Sequence, residues 1–223
     1  MNKEKVLVAD DHYLVRLGLK VLIESFDNYT VSIDVENGKD AIEAVDLADI
    51  FILDLEMPVF DGIKALKIIK EKHPKKKVVL LTNSMSIPIL VTAKNLKPNG
   101  FLFKDCVHQE IKTCLEEISK GNYYQGKNCM AFFNKHAEEI EFVENLLRNL
   151  SYLTKTELKI LYKISLNLTN PEIAELLYNS PKTIENHRTN ISKKLDISGY
   201  NNLQVIAVKY RKSIESLYND ICK

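Results

Sequence analysis

Five short apolar runs constrain this chain more than any other feature. They are residues 5–9 (KVLVA), 30–35 (TVSIDV), 49–54 (DIFILD), 77–82 (KVVLLT) and 100–103 (GFLF). Three are nearly continuous rather than alternating, which marks strands covered on both faces, as in a parallel sheet. Between them lie segments with helical spacing: Leu14, Leu17, Val21 and Leu22, then Ile63, Leu66, Ile68 and Ile69. Ile111, Leu115 and Ile118 mark another helix after the fifth run. Strand and helix alternate five times over about 120 residues, so the first half predicts a doubly wound α/β domain with a five-stranded parallel sheet.

In such sheets the functional crevice lies at the carboxyl ends of the strands. The first strand ends in Asp10–Asp11, the third in Asp54 and the fourth in Thr82, and Lys104 follows the fifth. Three carboxylates converge with one hydroxyl and one ammonium. Adjacent carboxylates repel unless a counter-ion visits them. A hard cation such as magnesium, which takes oxygen ligands and phosphate oxygens, explains the cluster. The lysine and hydroxyl would then bind phosphoryl oxygens.

Charge divides the chain of 223 residues. Residues 1–124 hold 17 Lys and Arg against 19 Asp and Glu, whereas residues 151–223 hold 11 against 7. The two halves therefore suit different partners, although the basic excess alone favours DNA only weakly over a solvated surface. The four cysteines, Cys106, Cys114, Cys129 and Cys222, form no Cys-x-x-Cys pair and have no His cluster beside them. They read as reduced structural thiols of a cytosolic protein. The amino terminus has too short an apolar run for a signal peptide. No stretch approaches ~18 uninterrupted apolar residues, so no membrane span is expected.

Residues 1–124 resemble the receiver domain of two-component response regulators. The resemblance rests on ADDH after the first strand, LDLEMPVFDG from Leu53 to Gly62, LLT ending at Thr82 and GFLFKD ending at Asp105. It implies that Asp54 accepts a phosphoryl group from a sensor histidine kinase. It further implies that Asp10, Asp11, Asp54 and the backbone carbonyl of Glu56 hold Mg2+, that Thr82 and Lys104 contact phosphoryl oxygens, and that Phe101 occupies an aromatic switch position. Phe101 reads equally as a core residue of a short strand. Two positions depart from the family: Asn83 stands where a small residue is usual, and Glu56 adds a carboxylate beside the site. Asp61 reads as a helix cap, and His12 as an exposed residue at the head of the first helix.

Residues 125–150 are expected to be a linker, looped at first and helical from His136 to Leu150 through Ile140, Val143, Leu146 and Leu147. Residues 151–223 are nearly free of glycine and helical throughout. Leu153, Leu158, Leu161 and Ile164 mark one helix, and Asn170–Pro171 opens a second with Ile173, Ala174 and Leu177. Ser180–Pro181 caps a third. A last helix is expected from about Asn201, with Leu203, Ala207, Tyr210, Ile214 and Leu217 on one stripe and a part beyond Arg211 available for subunit pairing. Two short helices joined by a tight turn form a helix-turn-helix. On the third helix Ile184, Ile191 and Leu195 make an inward stripe with the stem of Arg188. Lys182, Glu185, Asn186, Thr189 and Lys193 fall opposite. Such a face either reads base edges in a major groove or is simply solvated.

LTKTELKIL, NPEIAELL and SPKTIENHRTNISKKL resemble the LuxR-type helix-turn-helix of the NarL/FixJ response regulators, over roughly residues 150–212. The resemblance implies binding of double-stranded DNA through the helix 181–195. Glu185, Asn186 and Thr189 are then the base-facing candidates, and Lys182, Thr183, Arg188, Asn190, Lys193 and Lys194 the phosphate-facing ones. Asn167 replaces a common glycine and tolerates a left-handed backbone. His187 reads as structural. The expectation is a cytoplasmic, phosphorylation-controlled transcription regulator and not an enzyme, a homodimer when phosphorylated or on DNA. A regulator whose receiver works by partner binding alone is the alternative. A phosphatase of the haloacid dehalogenase type would need aspartate where Glu56 stands.

Overall fold

The structure, a computed structural model, describes residues 3–199 and 202–222. The side chain of Cys106 and residue Asn201, the expected start of the last helix, lie outside the described residues. The chain forms two compact units that divide between Ala137 and Glu138.

The first unit contains β1 (Glu4–Ala9), α1 (Tyr13–Glu24), β2 (Tyr29–Val35), α2 (Gly38–Glu43), β3 (Ile50–Asp54) and α3 (Gly62–Lys72). It continues with β4 (Lys77–Thr82), α4 (Ile87–Asn95), β5 (Gly100–Phe103), α5 (Val107–Ser119), β6 (Tyr124–Gln125) and α6 (Lys127–Lys135). The sheet has the order β2-β1-β3-β4-β5-β6 and every pairing is parallel. It holds one strand more than expected. Two-residue β6 adds to the edge through Tyr124 N–H to the Asn99 carbonyl and Gly126 N–H to the Phe101 carbonyl. A strand that short leaves no apolar run to recognise.

Alternation along the strands makes two cores. Val6, Val8, Ile50, Ile52, Val79, Leu81 and Leu102 pack with Leu19 and Ile23 of α1 and with Ile111, Leu115 and Ile118 of α5. The register of α1 corrects the sequence reading. Its buried residues are Arg16, Leu19 and Ile23; of the four residues read from spacing, Leu22 packs half-buried against the core while Leu14, Leu17 and Val21 are exposed. Both sets recur at helical spacing, and spacing alone does not tell which of two stripes faces the sheet.

Helix starts follow local chemistry. Asp61 caps α3 by accepting the Lys64 N–H at 2.8 Å, as expected, and Asn37 caps α2. The loop between β3 and α3 turns sharply at Val59, where φ is 64° and Phe60 N–H reaches the Pro58 carbonyl at 2.6 Å. A β-branched residue pays a steric penalty in that region, and Val59 is 88% exposed, so its side chain returns little packing. That hydrogen bond closes a γ-turn, so Val59→Gly, which removes the Cβ, is expected to stabilise the unit by about 0.5 kcal/mol. Urea unfolding checks this; an unchanged midpoint would mean the turn carries no strain.

The second unit contains α7 (Ala137–Leu150, whose first residue lies across the division), α8 (Lys155–Ser165), α9 (Asn170–Leu176), α10 (Pro181–Lys194), α11 (Asn202–Lys209) and α12 (Arg211–Cys222). Capping boxes start α8 (Thr154 with Glu157) and α9 (Thr169 with Glu172), satisfying backbone N–H groups that the helices leave free. Asn167 sits between α8 and α9 at φ 66°, and its side-chain oxygen accepts from Gln204 at 2.7 Å. Ile184, Ile191 and Leu195 are buried as expected.

Two expectations change. Residues 127–135, read as loop, are the helix α6. Its inward side chains Cys129 and Phe133 end an unbroken five-residue apolar run, 129–133, which is too short and too uniform to show a helical stripe. The expected single last helix is two, α11 and α12, meeting at the buried Tyr210. α12 packs on α8 of its own unit: Tyr162 stacks on Tyr218 with centroids 4.4 Å apart, and its hydroxyl bonds Glu215.

Candidate functional sites

The crossovers of the parallel sheet bring the ends of β1, β3, β4 and β5 to one edge of the first unit. Asp54 closes β3 and Thr82 closes β4, with Asp54 paired to Leu81 and Thr82 to Phe103 in the ladders. Asp10, Asp54 and Thr82 are buried, and Asp11 stands at the rim. Lys104 Nζ lies 2.6 Å from Asp10 Oδ2 and 2.8 Å from Asp54 Oδ2. Asp10 Oδ2 is buried, and the Lys104 ammonium is the cation against it.

Burial pushes the Asp54 carboxyl above its usual range, against the hydrogen bond and charge of Lys104. Burial also works against the Lys104 ammonium, but its hydrogen bonds to Asp10 and Asp54 outweigh it and hold the amine above its usual value. The lysine thus stays charged where charge is needed. Thr82 is anchored through its oxygen, which accepts the Ser84 N–H at 2.8 Å, leaving its proton free to donate. Glu56 N–H donates to Asp54 Oδ1 at 3.3 Å, while its carboxylate is exposed, as is Asn83.

The donor set fits a hard divalent cation. Ligand atoms of Asp10, Asp11, His12 and Asp54 lie within 4.8 Å of one another, a carboxylate-rich cluster of the kind such a cation takes. His12 is exposed as expected, and its Nδ1 sits 2.8 Å from Asp11 Oδ1 and 3.2 Å from Asp10 Oδ1.

Two supporting residues escape a motif reading. Arg16 is buried and donates to the Asp10 carbonyl at 2.8 Å, to Asp34 Oδ2 at 3.2 Å and to Glu36 Oε1 at 2.8 Å. It ties α1 to the ends of β1 and β2 and fixes the backbone of a candidate cation ligand. The available signal was its place on one stripe with Leu19 and Ile23. Ser84 acts through its backbone, which no side-chain pattern reveals.

The second site is the face of α10. Lys182, Glu185, Asn186, Thr189, Asn190, Lys193 and Lys194 are exposed along it, and Thr183 is half-buried. Several are engaged locally: Lys182 pairs with Glu185 at 2.8 Å, and the Thr189 hydroxyl donates to the Glu185 carbonyl. Arg188 is half-buried and donates to Gln204 at 3.1 Å, with burial lowering its pKa. Lys194 Nζ is 2.7 Å from Glu157 of the α8 capping box. These two cations are thus held by their own unit, which a helical-face reading does not show.

A parallel sheet with an aspartate-lysine crevice, on a chain with a capped helix-turn-helix, defines a DNA-binding regulator governed by a receiver. The response regulator receiver domain family matches residues 6–116, and the bacterial regulatory proteins of the luxR family match residues 151–207. The transcriptional regulatory protein YdfI of Bacillus subtilis is 32% identical over 218 residues, covering 96% of this chain and 99% of YdfI. A nitrate/nitrite response regulator protein homolog of Haemophilus influenzae is 31% identical, over 88% of this chain and 92% of its own. RcsB of Salmonella enterica serovar Typhimurium, solved bound to the promoter P1flhDC, shares the fold, with TM-score 0.65, 24% identity and coverage of 96% and 100%. The chain belongs to the response regulators that join a receiver to a LuxR-type DNA-binding domain, and it is a transcription regulator. Among the described residues no helix is long and apolar enough to cross a membrane.

Proposed function

We propose that phosphorylation of Asp54 by a sensor histidine kinase controls DNA binding through α10. The observation that carries this is Lys104 placed 2.6 and 2.8 Å from the carboxylates of Asp10 and Asp54 at the mouth of the sheet. An Asp54 oxygen attacks the phosphorus of a phosphohistidine, the P–N bond breaks, the imidazole nitrogen leaves with the electron pair, and an acyl phosphate forms. That product carries about two negative charges. Lys104 supplies counter-charge in a site where low solvent access strengthens it. A magnesium ion held by Asp10, Asp11, Asp54 and the Glu56 carbonyl would neutralise phosphoryl oxygens. The Thr82 hydroxyl donates to a phosphoryl oxygen, and Phe101 turns toward the space it vacates. The exposed Glu56 carboxylate offers no general acid at the acceptor, which supports an acceptor over a hydrolase. The regulator works in the cytoplasm as a homodimer on paired half-sites.

Incubation with acetyl phosphate and Mg2+, read by intact mass, should add one phosphoryl group per chain. No gain would overturn the acceptor role and leave a receiver that acts by partner binding. Thr82→Ala should still label but fail to raise dimerisation or DNA affinity, since a ligand shifts an equilibrium only by its differential affinity for the two states. Sedimentation like that of the parent would sink the coupling.

On DNA, Asn186 can pair with adenine and Glu185 can accept from a cytosine amine, with Thr189 beside them. Lys182, Thr183, Asn190 and Lys193 suit phosphates, as do Arg188 and Lys194 once released from Gln204 and Glu157. Asn186→Ala should cost about 1–3 kcal/mol on the preferred duplex only. Lys193→Ala should weaken all duplexes alike and reduce the salt slope by about one. Titrations of selected and scrambled duplexes at several salt concentrations decide it; equal losses for Asn186→Ala would show that this face does not read bases.

A further inference from the structure

The sheet face at β5 is covered by the helix α6, which follows β6. Gly100, Phe101, Leu102 and Phe103 alternate across the sheet, so Phe101 and Phe103 face away from the α1–α5 core. Their rings meet α6. Phe133 stands edge-on to Phe101 with centroids 6.1 Å apart at 86°, and Phe132 stands edge-on to Phe103 at 5.7 Å and 84°. Lys94, on α4, places Nζ 4.9 Å from the centre of the Phe133 ring. Phe133 therefore touches β5, through the ring of Phe101, and α4, through Lys94, at once.

α6 is also pinned at its start. Gly126 N–H bonds the Phe101 carbonyl at 2.9 Å. Gly126, the N-cap, offers no side chain to cap α6, and the buried Glu110 of α5 replaces it, accepting the Lys127 N–H at 3.0 Å. A carboxylate at a helix N-terminus also suits the helix dipole. A Cβ at Gly126 would come within 2.5 Å of Glu110 Oε2, so the approach is built for glycine. Asn128 bonds Asp105, the neighbour of Lys104, at 3.2 Å. α7 begins at Ala137, two residues after α6 ends.

We propose that α6 is a latch that senses Phe101 and passes its state to the DNA-binding unit. With Phe101 seated, its ring and Lys94 hold Phe133 and α6 stays docked. When Phe101 turns toward Thr82, Phe133 loses its edge contact, α6 loosens, and the chain entering α7 is freed. Packed contacts of this kind shift between discrete arrangements rather than deform continuously, which suits a switch. The trigger rests on the reading of Asp54 and Thr82 given above, whereas the latch rests on α6 alone.

The test has two arms. In the full-length parent, hydrogen exchange of residues 127–135 is compared with and without beryllofluoride and Mg2+. Exchange should accelerate about tenfold or more on addition, with the β1, β3 and β4 amides still protected. In the second arm no phosphoryl analogue is present. Phe133→Ala should bind a duplex selected by the parent roughly tenfold more tightly than the parent does, and gain less than about twofold from acetyl phosphate. Glu110→Gln, which loosens the other end without touching the rings, should shift the same way. Parental affinity with a full response in both variants overturns the latch. Variants that bind more tightly while Asp54 of the parent takes no label leave the latch standing and remove phosphorylation as its trigger.

Discussion

Asp54→Asn is expected to take up no phosphoryl group from acetyl phosphate and to lose all phosphate-driven gain in DNA affinity. The carboxamide has nearly the shape of the carboxylate but is no nucleophile toward phosphorus, so the loss is all-or-none. It also removes one of the two carboxylates that share Lys104, at 2.8 Å, while the partner at 2.6 Å remains. The ammonium therefore keeps a counter-ion and the fold should persist. Circular dichroism and intact mass, taken together, separate loss of chemistry from loss of structure. Asp11→Ala makes the matching control, because it should keep Asp54 but lose dependence on Mg2+. Stoichiometric labelling of Asp54→Asn would show that the acceptor is elsewhere.

Gly62→Ala is expected to unfold or severely loosen the receiver. A Cβ at Gly62 would fall 2.0 Å from the Asp54 carbonyl oxygen, 2.9 Å from its carbon and 3.1 Å from the Leu55 Cα. All three are backbone atoms and none can rotate aside. α3 would have to withdraw from β3, carrying the acceptor's backbone with it. The cost should exceed about 3 kcal/mol, beyond ordinary overpacking, and lower Tm by about 10 °C or more. Gly18→Ala supplies the contrast, since a Cβ there meets nothing within 4 Å. In the middle of α1 it should stabilise by about 0.5–1 kcal/mol. Thermal melts of the two variants test the argument; similar stability for both would refute the close approach at Gly62.

The strands were legible because burial on both faces leaves unbroken runs of Val, Ile, Leu and Phe, and the five expected runs agree with β1 to β5 within a residue at each end. The crevice was legible for a related reason. Parallel connections return every strand in the same direction, so residues that end strands gather at one edge. Asp10, Asp54 and Lys104 meet there because of topology that the spacing of runs already implied. The inward face of α10 was legible from Ile184, Ile191 and Leu195, whose spacing leaves a single apolar stripe.

Other features depended on what each element meets. α1 carries two apolar stripes, and only docking on the sheet chose Leu19 and Ile23 over Leu14, Leu17 and Val21. Arg16 became a structural residue because β2 brought Asp34 and Glu36 to it across the fold. Lys194 and Arg188, phosphate candidates by helical position, are held by Glu157 and Gln204, which lie on other helices.

The sequence by itself determined the sheet, the acidic crevice with its lysine and threonine, and a helix-turn-helix with its caps. These follow from periodicity and from short-range backbone chemistry, both of which are written along the chain. The tertiary structure alone decided that residues 127–135 form a helix docked on Phe101 and Phe103. A nine-residue helix with few inward side chains gains too little from its own hydrogen bonds to declare itself. It exists because β5 offers Phe101 and Phe103 and α5 offers the Glu110 carboxylate, and those partners are fixed only once the receiver has folded.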